Sequence, residues 1–326
     1  MEEFSDPVED FLNQQIPAEV WHYTTCNNFR GIIESGSLWA TEAHHTNDST
    51  EFVHARDIAL VFLKTTERPN EHYEFALTEA YKVVESVFNK GALSVNEAEV
   101  FIASFSAAKD LKSQWENYAD HHRGVSIGFD LRYIRPPKGS GIGITFSPCV
   151  YEQAGKESLI RSALSHFVQQ CAESHMQATD NRWLLEQLID YKKNMQMNVS
   201  EIPLFDKTAF LGYIEQKLNN IILFPTIKTS FDLLRLASHC KNHDFFEEKE
   251  WRLAIPVAKD NNRKRVVVKY WGQDHSIPYI ETKLISPEKL PITRVMLGPL
   301  CDRRNEIEEI LLSRGYSVPI GIQIIP

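Results

Sequence analysis

The stretch VWHYTTCNNFRGIIESGSLWA, Val20 to Ala40, constrains the fold more than any other part of the chain. Val20 to Thr24 has the aromatic and β-branched texture of a short strand, and Thr25 to Asn28 is a polar start signal. Phe29, Ile32 and Ile33 then recur on one face of a helix that stops at Gly36. Side chains alternate between faces along a strand. His22 and Thr24 are therefore expected to open on one cleft, with Tyr23 facing away.

The rest of the chain extends this start into a large α/β domain. Phe52, Ala55, Ala59, Leu60 and Leu63 recur at helical spacing behind a polar loop, Thr41 to Thr50, and Tyr73 to Phe88 repeats the pattern. Val100 to Phe105 is an apolar run of strand length. Gln114 to His121 reads as a short helix presenting Trp115, Tyr118 and Ala119, and GVSIGFD, Gly124 to Asp130, alternates as a strand. Ile144 to Tyr151 is a strand interrupted by Pro148, hence near an edge. Glu157 to about Asn198 is mostly helical, as are Phe210 to Leu223 and Phe231 to Ala237. From Glu248 the texture turns to strands, KEWRLAIPV, RKRVVVKYW, IPYIETKLI, ITRVMLGP and SVPIGIQII, with one helix from Arg303 to Leu312. Non-local pairing of these with the early strands predicts an α/β (α+β) fold around a mixed, largely antiparallel sheet.

With 326 residues, 43% of them hydrophobic, the chain is long enough to bury a large core. The expected organisation is an N-terminal arm, 1–18, packed loosely through Val8, Phe11 and Leu12. One domain, 19–326, follows, with helical insertions at about 50–92 and 155–240. A net charge of -9 and a pI near 5.8 argue against coating nucleic acid by counterion release, while permitting a local basic patch. Five scattered cysteines without a C-x-x-C pair fit neither a disulfide framework nor a structural zinc site. The acidic opening MEEFSDPVED is unlike a signal peptide, and no apolar run approaches the ~20 residues needed to span a bilayer. The expected setting is cytoplasmic, with no membrane association.

Four motifs occur in order: His22 to Thr24; Asn47-Asp48 to Glu51; Phe105-Ser106 with Trp115 and Tyr118; and Glu248 to Arg252. Together they resemble a bacterial family, domain of unknown function 2971, over most of the chain from Val20 to Leu300. More sparsely, at Trp21, His22, Thr24, Asn28, Gly31, Ile32, Gly36 and Leu38, the first motif resembles that of poly-ADP-ribose-polymerase-like ADP-ribosyltransferases. That second resemblance implies the ADP-ribosyltransferase fold with large helical insertions. It also implies NAD as co-substrate, no metal, and a macromolecular acceptor, nucleic acid or protein. A bacterial toxin or anti-phage effector held in check by an antitoxin-like partner is the corresponding biology.

Cleaving the nicotinamide to ribose bond creates an oxocarbenium-like centre. It calls for a nearby carboxylate, a donor to fix the ribose hydroxyls and an aromatic face. Glu250 is the expected carboxylate, with Glu248 on the same strand face two residues earlier; the resemblance to transferases implies that Glu248 helps the acceptor and that His22 completes the catalytic set. The resemblance assigns His22, Tyr23, Thr24, Ser106, Trp115, Tyr118, Asn47 and Arg252 to NAD binding. Each residue also has a plainer reading. FEEKE is a solvated acidic run, Trp115 and Tyr118 are core, Ser106 caps a helix, Asn47 closes a loop and Arg252 makes a structural ion pair. His44-His45, His54 and His121-His122 lack metal-ligand spacing, and no G-x-G-x-x-G or P-loop is present. Two further functions remain open: NAD glycohydrolysis, with water as acceptor, and a catalytically silent module that binds a partner.

Overall fold

The computed structural model describes residues 6–46, 50–88, 98–132, 144–194, 207–258, 268–271, 276–282 and 289–323. In chain order these form α1 (Pro7–Leu12), β1 (Val20–Thr24), α2 (Cys26–Ser35), β2 (Leu38–Glu42), a 3-10 turn (Ala43–His45), α3 (Thr50–Thr65), α4 (Glu71–Phe88), β3 (Ala98–Ser106), α5 (Lys112–Tyr118), β4 (Val125–Phe129) and β5 (Thr145–Pro148). Then come α6 (Gln153–Thr179), α7 (Asn181–Asn194), α8 (Lys207–His239), a second 3-10 turn (His243–Glu248), β6 (Glu250–Ala258), β7 (Val268–Trp271), β8 (Ile277–Thr282), β9 (Ile292–Leu297), α9 (Arg304–Ser313) and β10 (Ile320–Ile322).

The chain divides into two compact units, one from residues 1–54, 97–156 and 235–326, the other from 55–96 and 157–234. The first unit carries a ten-stranded sheet in the order β10-β9-β4-β1-β3-β2-β8-β7, with β6 and then β5 attached to β3. Neighbouring strands are antiparallel except β10 and β9, which run parallel. The architecture is the α/β, largely antiparallel one that the strand textures predict, and β5 lies outside β6, where Pro148 needs no ladder donor.

One apolar cluster joins Phe29 and Ile33 of α2, Phe101 and Phe105 of β3, Ile127 and Phe129 of β4, Leu253 of β6 and Ile307 and Leu311 of α9. Burying each such side chain contributes about 1.5–3 kcal/mol, so this cluster anchors the strands that carry the site. Thr25 caps α2 by accepting from the Asn28 N–H at 3.1 Å. Gly36, at φ 64°, ends the helix and returns its N–H to the Ile32 carbonyl at 2.9 Å. The N-terminal arm is not loose. Val8, Phe11 and Leu12 are buried, and Ser147 Oγ donates to the Leu12 carbonyl at 3.1 Å, because the three apolar residues share one face of α1.

α5 is shorter than its periodicity suggests. It stops at Tyr118 because Asp120, His121 and His122 turn left-handed, at φ 48°, 50° and 68°. Gly124 follows, where a side chain would collide with the Thr24 carbonyl, so β4 starts tightly against the end of β1.

In the second unit, Ala76, Leu77, Ala80, Val83 and Val84 form the buried face of α4, and Phe75 stacks on His175 of α6 at 4.2 Å between centroids. The two helices expected at 210–223 and 231–237 are one. α8 runs through Pro225, which removes a single backbone donor without ending the helix. Among the described residues, no helix is long and apolar enough to cross a membrane.

Candidate active site

β6 pairs with β3 along its whole length, from Ala98 to Ser106, and so occupies one edge of that strand. β1 and β2 share the other edge. β1 meets it at Ser106, opposite Trp21, and β2 at Phe101 and Ile102, opposite Glu42 and Thr41. Between these junctions the sheet forks over Ala103, Ser104 and Phe105, which line a cavity of about 300 Å³. That volume is at the low end for small-molecule sites.

His22 closes the fork. Its Nδ1 lies 3.0 Å from the Ser104 carbonyl oxygen. A carbonyl only accepts, so Nδ1 carries the proton and Nε2 is left with the lone pair. Burial holds the imidazole pKa below its ordinary value, against the opposing pull of the Ser104 carbonyl, which keeps the ring neutral.

The charged wall comes from the end of α8, the second 3-10 turn and the start of β6. Lys241, Glu248, Glu250 and Arg252 are each no more than 6% exposed and line the cavity together. Lys241 Nζ bridges Glu248 Oε2 and Glu250 Oε2. Arg252 grips Glu250 through Nε to Oε1 at 2.8 Å and Nη2 to Oε2 at 3.2 Å, and its Nη1 donates to the Ser238 carbonyl at 2.7 Å. The four formal charges cancel. Burial alone would raise the Glu250 pKa, but the charges of Arg252 and Lys241 outweigh it and bring the carboxyl down to about 2. The same attraction lifts the Lys241 ammonium above its ordinary value despite burial. Tyr118 adds a hydroxyl donor to Glu248 Oε1 at 3.3 Å.

Several sequence expectations change here. Glu248 is not a strand residue sharing a face with Glu250. It ends the 3-10 turn, and Lys249, at φ 47°, breaks the alternation between them. The two carboxylates meet because Lys241 holds both. Thr24 does not line the cavity and is buried where β1 meets Gly124, whereas Tyr23, expected to face away, does line it. Tyr23 Oη donates to the Ala108 carbonyl at 2.8 Å and accepts from the Leu111 N–H at 3.2 Å.

Trp115 is fully buried against Trp21, Tyr23 and Ala119, with Nε1 donating to Asp110 at 2.9 Å, so it belongs to the core. Ser106 is buried too and caps no helix. Its Oγ donates to the Glu248 carbonyl at 2.7 Å and accepts from the Ala108 N–H at 3.1 Å, fixing the turn that carries Glu248. Asn47 lies outside the described residues.

Residues not picked out from the sequence complete the cavity. Lys241, two residues beyond the end of α8, is the most consequential, and no sequence pattern marks it. Trp39, Phe245 and Trp271, each at least 39% exposed, supply aromatic surface at the cavity, and Trp39 stacks on Tyr279 at 4.2 Å between centroids. Among the described residues, no three His, Cys, Asp or Glu side chains converge as a metal site.

An ionised buried carboxylate, a neutral imidazole with a free lone pair, a phenol and an aromatic rim suit a polar ligand with a planar group and hydroxyls. No curated protein and no solved structure matches this chain. Residues 114–253, a narrower span than the one over which the four motifs run, match the model of a family described as protein of unknown function (DUF2971). That span, less than half of the chain, includes Tyr118, Lys241, Glu248, Glu250 and Arg252 and is what the chain has in common with that family.

Proposed function

We propose that this cavity binds NAD by its nicotinamide-ribose end and that the protein transfers ADP-ribose to a macromolecular acceptor, nucleic acid or protein. The observation that carries this reading is the Glu250 carboxylate, held ionised on the wall of a cavity that His22 and Tyr118 also line. The residues fit the group. Trp39, Phe245 and Trp271 offer flat faces for a planar ring, and His22 Nε2 offers an acceptor for a ribose hydroxyl.

NAD, when bound, supplies a ribosyl carbon attached to a good cationic leaving group. Glu250, ionised within a cluster of no net formal charge, supplies the carboxylate beside which positive charge would develop at that carbon. Lys241 and Arg252 keep the carboxylate ionised and locked in one orientation. Activity of this kind on cytoplasmic macromolecules fits a toxin or anti-phage effector that an antitoxin-like partner restrains.

Glu250→Gln tests the reading. The amide keeps the shape but removes the charge, so transfer should fall about 10²- to 10³-fold, while NAD binding followed by calorimetry largely survives. The assay follows labelled NAD in cell lysate, with separate protein and nucleic-acid digests. Label released only as free ADP-ribose would make the protein a glycohydrolase. A wild-type protein that neither binds nor consumes NAD would leave a partner-binding module as the better reading, and undiminished transfer by Glu250→Gln would remove Glu250 from the mechanism.

A further inference from the structure

The cavity has a second acid-base arrangement, where the chain leaves β2. Glu42 is only 5% exposed, and its carboxylate accepts three hydrogen bonds from the 3-10 turn that follows. Oε1 accepts from His44 Nδ1 at 2.6 Å, and Oε2 accepts from His45 Nδ1 at 2.8 Å and from the His44 backbone N–H at 3.1 Å. Burial works against the charge, but the donors of His44 and His45 hold the carboxyl below its ordinary pKa. An ionised carboxylate can only accept, so both rings carry a proton on Nδ1, and in the neutral ring Nε2 is the basic nitrogen. The His44 ring lies by Phe52, at 5.2 Å between centroids, whereas His45 lines the cavity.

Glu248 is poorly suited to deprotonating an acceptor. One of its oxygens is held by Lys241, and the other accepts from Tyr118 at 3.3 Å. A capping role explains the His44 N–H bond. It does not account for a cavity-lining imidazole whose Nδ1 is anchored on a buried carboxylate.

We propose that His45 is the general base that activates the acceptor hydroxyl in this cavity and that Glu42 is its positioning residue; this rests on the NAD reading above. The acceptor O–H gives its proton to His45 Nε2 as its oxygen bonds to the ribose carbon. The bond from that carbon to the nicotinamide nitrogen breaks, and its electron pair leaves with the ring, which becomes neutral. The imidazolium, paired with Glu42, then passes the proton to water.

Two measurements test this. The first needs no NAD: ¹⁵N-histidine spectra of the free protein report each ring's tautomer. His45 should be protonated on Nδ1. In Glu42→Gln, one oxygen and one NH₂ replace two oxygens, so at least one of the two rings should change tautomer. An Nε2-protonated His45, or tautomers indifferent to Glu42→Gln, overturns the proposal.

The second measurement follows nicotinamide release with methanol or azide as surrogate acceptor. His45→Ala should lower methanol-dependent release about 10²-fold or more, while azide, which has no proton to lose, restores it. His45→Gln serves as the folded control if the alanine variant does not fold. Methanol-dependent release left unchanged by a folded His45 variant overturns this proposal alone. A wild-type protein that releases no nicotinamide overturns it together with the NAD reading.

Discussion

Glu250 lines the cavity and Glu42 stands behind its lining residue His45, each only 5% exposed, yet the structure keeps the two carboxylates ionised by different means. Glu250 is compensated by full charges, the ammonium of Lys241 and the guanidinium of Arg252. Glu42 is compensated first by hydrogen bonds, from the N–H groups of two imidazoles and one peptide, and after them by the charge of His44 and His45 when those rings are protonated. Full charges give a carboxylate that is rigid and indifferent to neutral pH, but its partners have no freedom to exchange protons. Anchoring each imidazole through Nδ1 leaves Nε2 as the nitrogen through which the ring can exchange a proton.

The contrast makes graded predictions. Lys241→Met should have the largest effect on stability. It leaves two carboxylates buried with one guanidinium, and breaking a buried pair on one side typically costs about 3–5 kcal/mol. Urea unfolding measures this, and a loss below ~1 kcal/mol would show that water already screens the cluster.

Acid titration comes next. The Glu250 pKa is 4.5 when unperturbed and about 2 in the folded protein, so its stabilisation is complete above pH 4.5 and is lost as pH falls toward 2. Each tenfold change in proton affinity is worth about 1.4 kcal/mol, so the loss is on the order of 3 kcal/mol. Buried His239, lowered from 6.5 to about 4, adds an earlier loss between those pH values, because the unfolded imidazole takes up a proton that the folded one refuses. Urea midpoints from pH 7 to 2 should therefore fall in two stages. Glu250→Gln should remove only the more acidic stage, and a profile identical to that of the wild type would refute the assignment.

Glu42→Gln should cost least, about 1–2 kcal/mol for hydrogen bonds to a charged acceptor whose partners are partly solvated. A loss as large as that of Lys241→Met would erase the distinction between the two carboxylates.

The strands are readable from the sequence because their alternation and β-branched texture are local properties, as at Val125 to Phe129 and Ile292 to Leu297. Motif order anticipates the convergence of His22, Tyr118 and Glu250 on one cavity, but not the direction of Thr24. Periodicity assumes an unbroken element. It fails at Glu248, where a left-handed Lys249 separates turn from strand, and at Asp120 to His122, where three left-handed residues cut α5 short. Lys241 is invisible for another reason. A single lysine after a helix carries no pattern, and its importance comes only from the two carboxylates that β6 and its preceding turn bring to it. Trp115 and Ser106 belong to the same motif as Tyr118, but nothing in their spacing says which side chain reaches the cavity and which is sealed in the core.

The fork in β3 has a consequence for how the site can vary. A residue's N–H and C=O point to the same side of a strand, so Ser104, whose carbonyl accepts from His22, turns both of its peptide groups toward the fork. These groups are the same for any amino acid except proline at position 104. Substitution can reshape the rim at Trp39 or Trp271 and so change the body of the molecule admitted, while the hydrogen-bonding polarity of the floor stays constant. Ligand choice can drift in this site without the fold having to reinvent its footing.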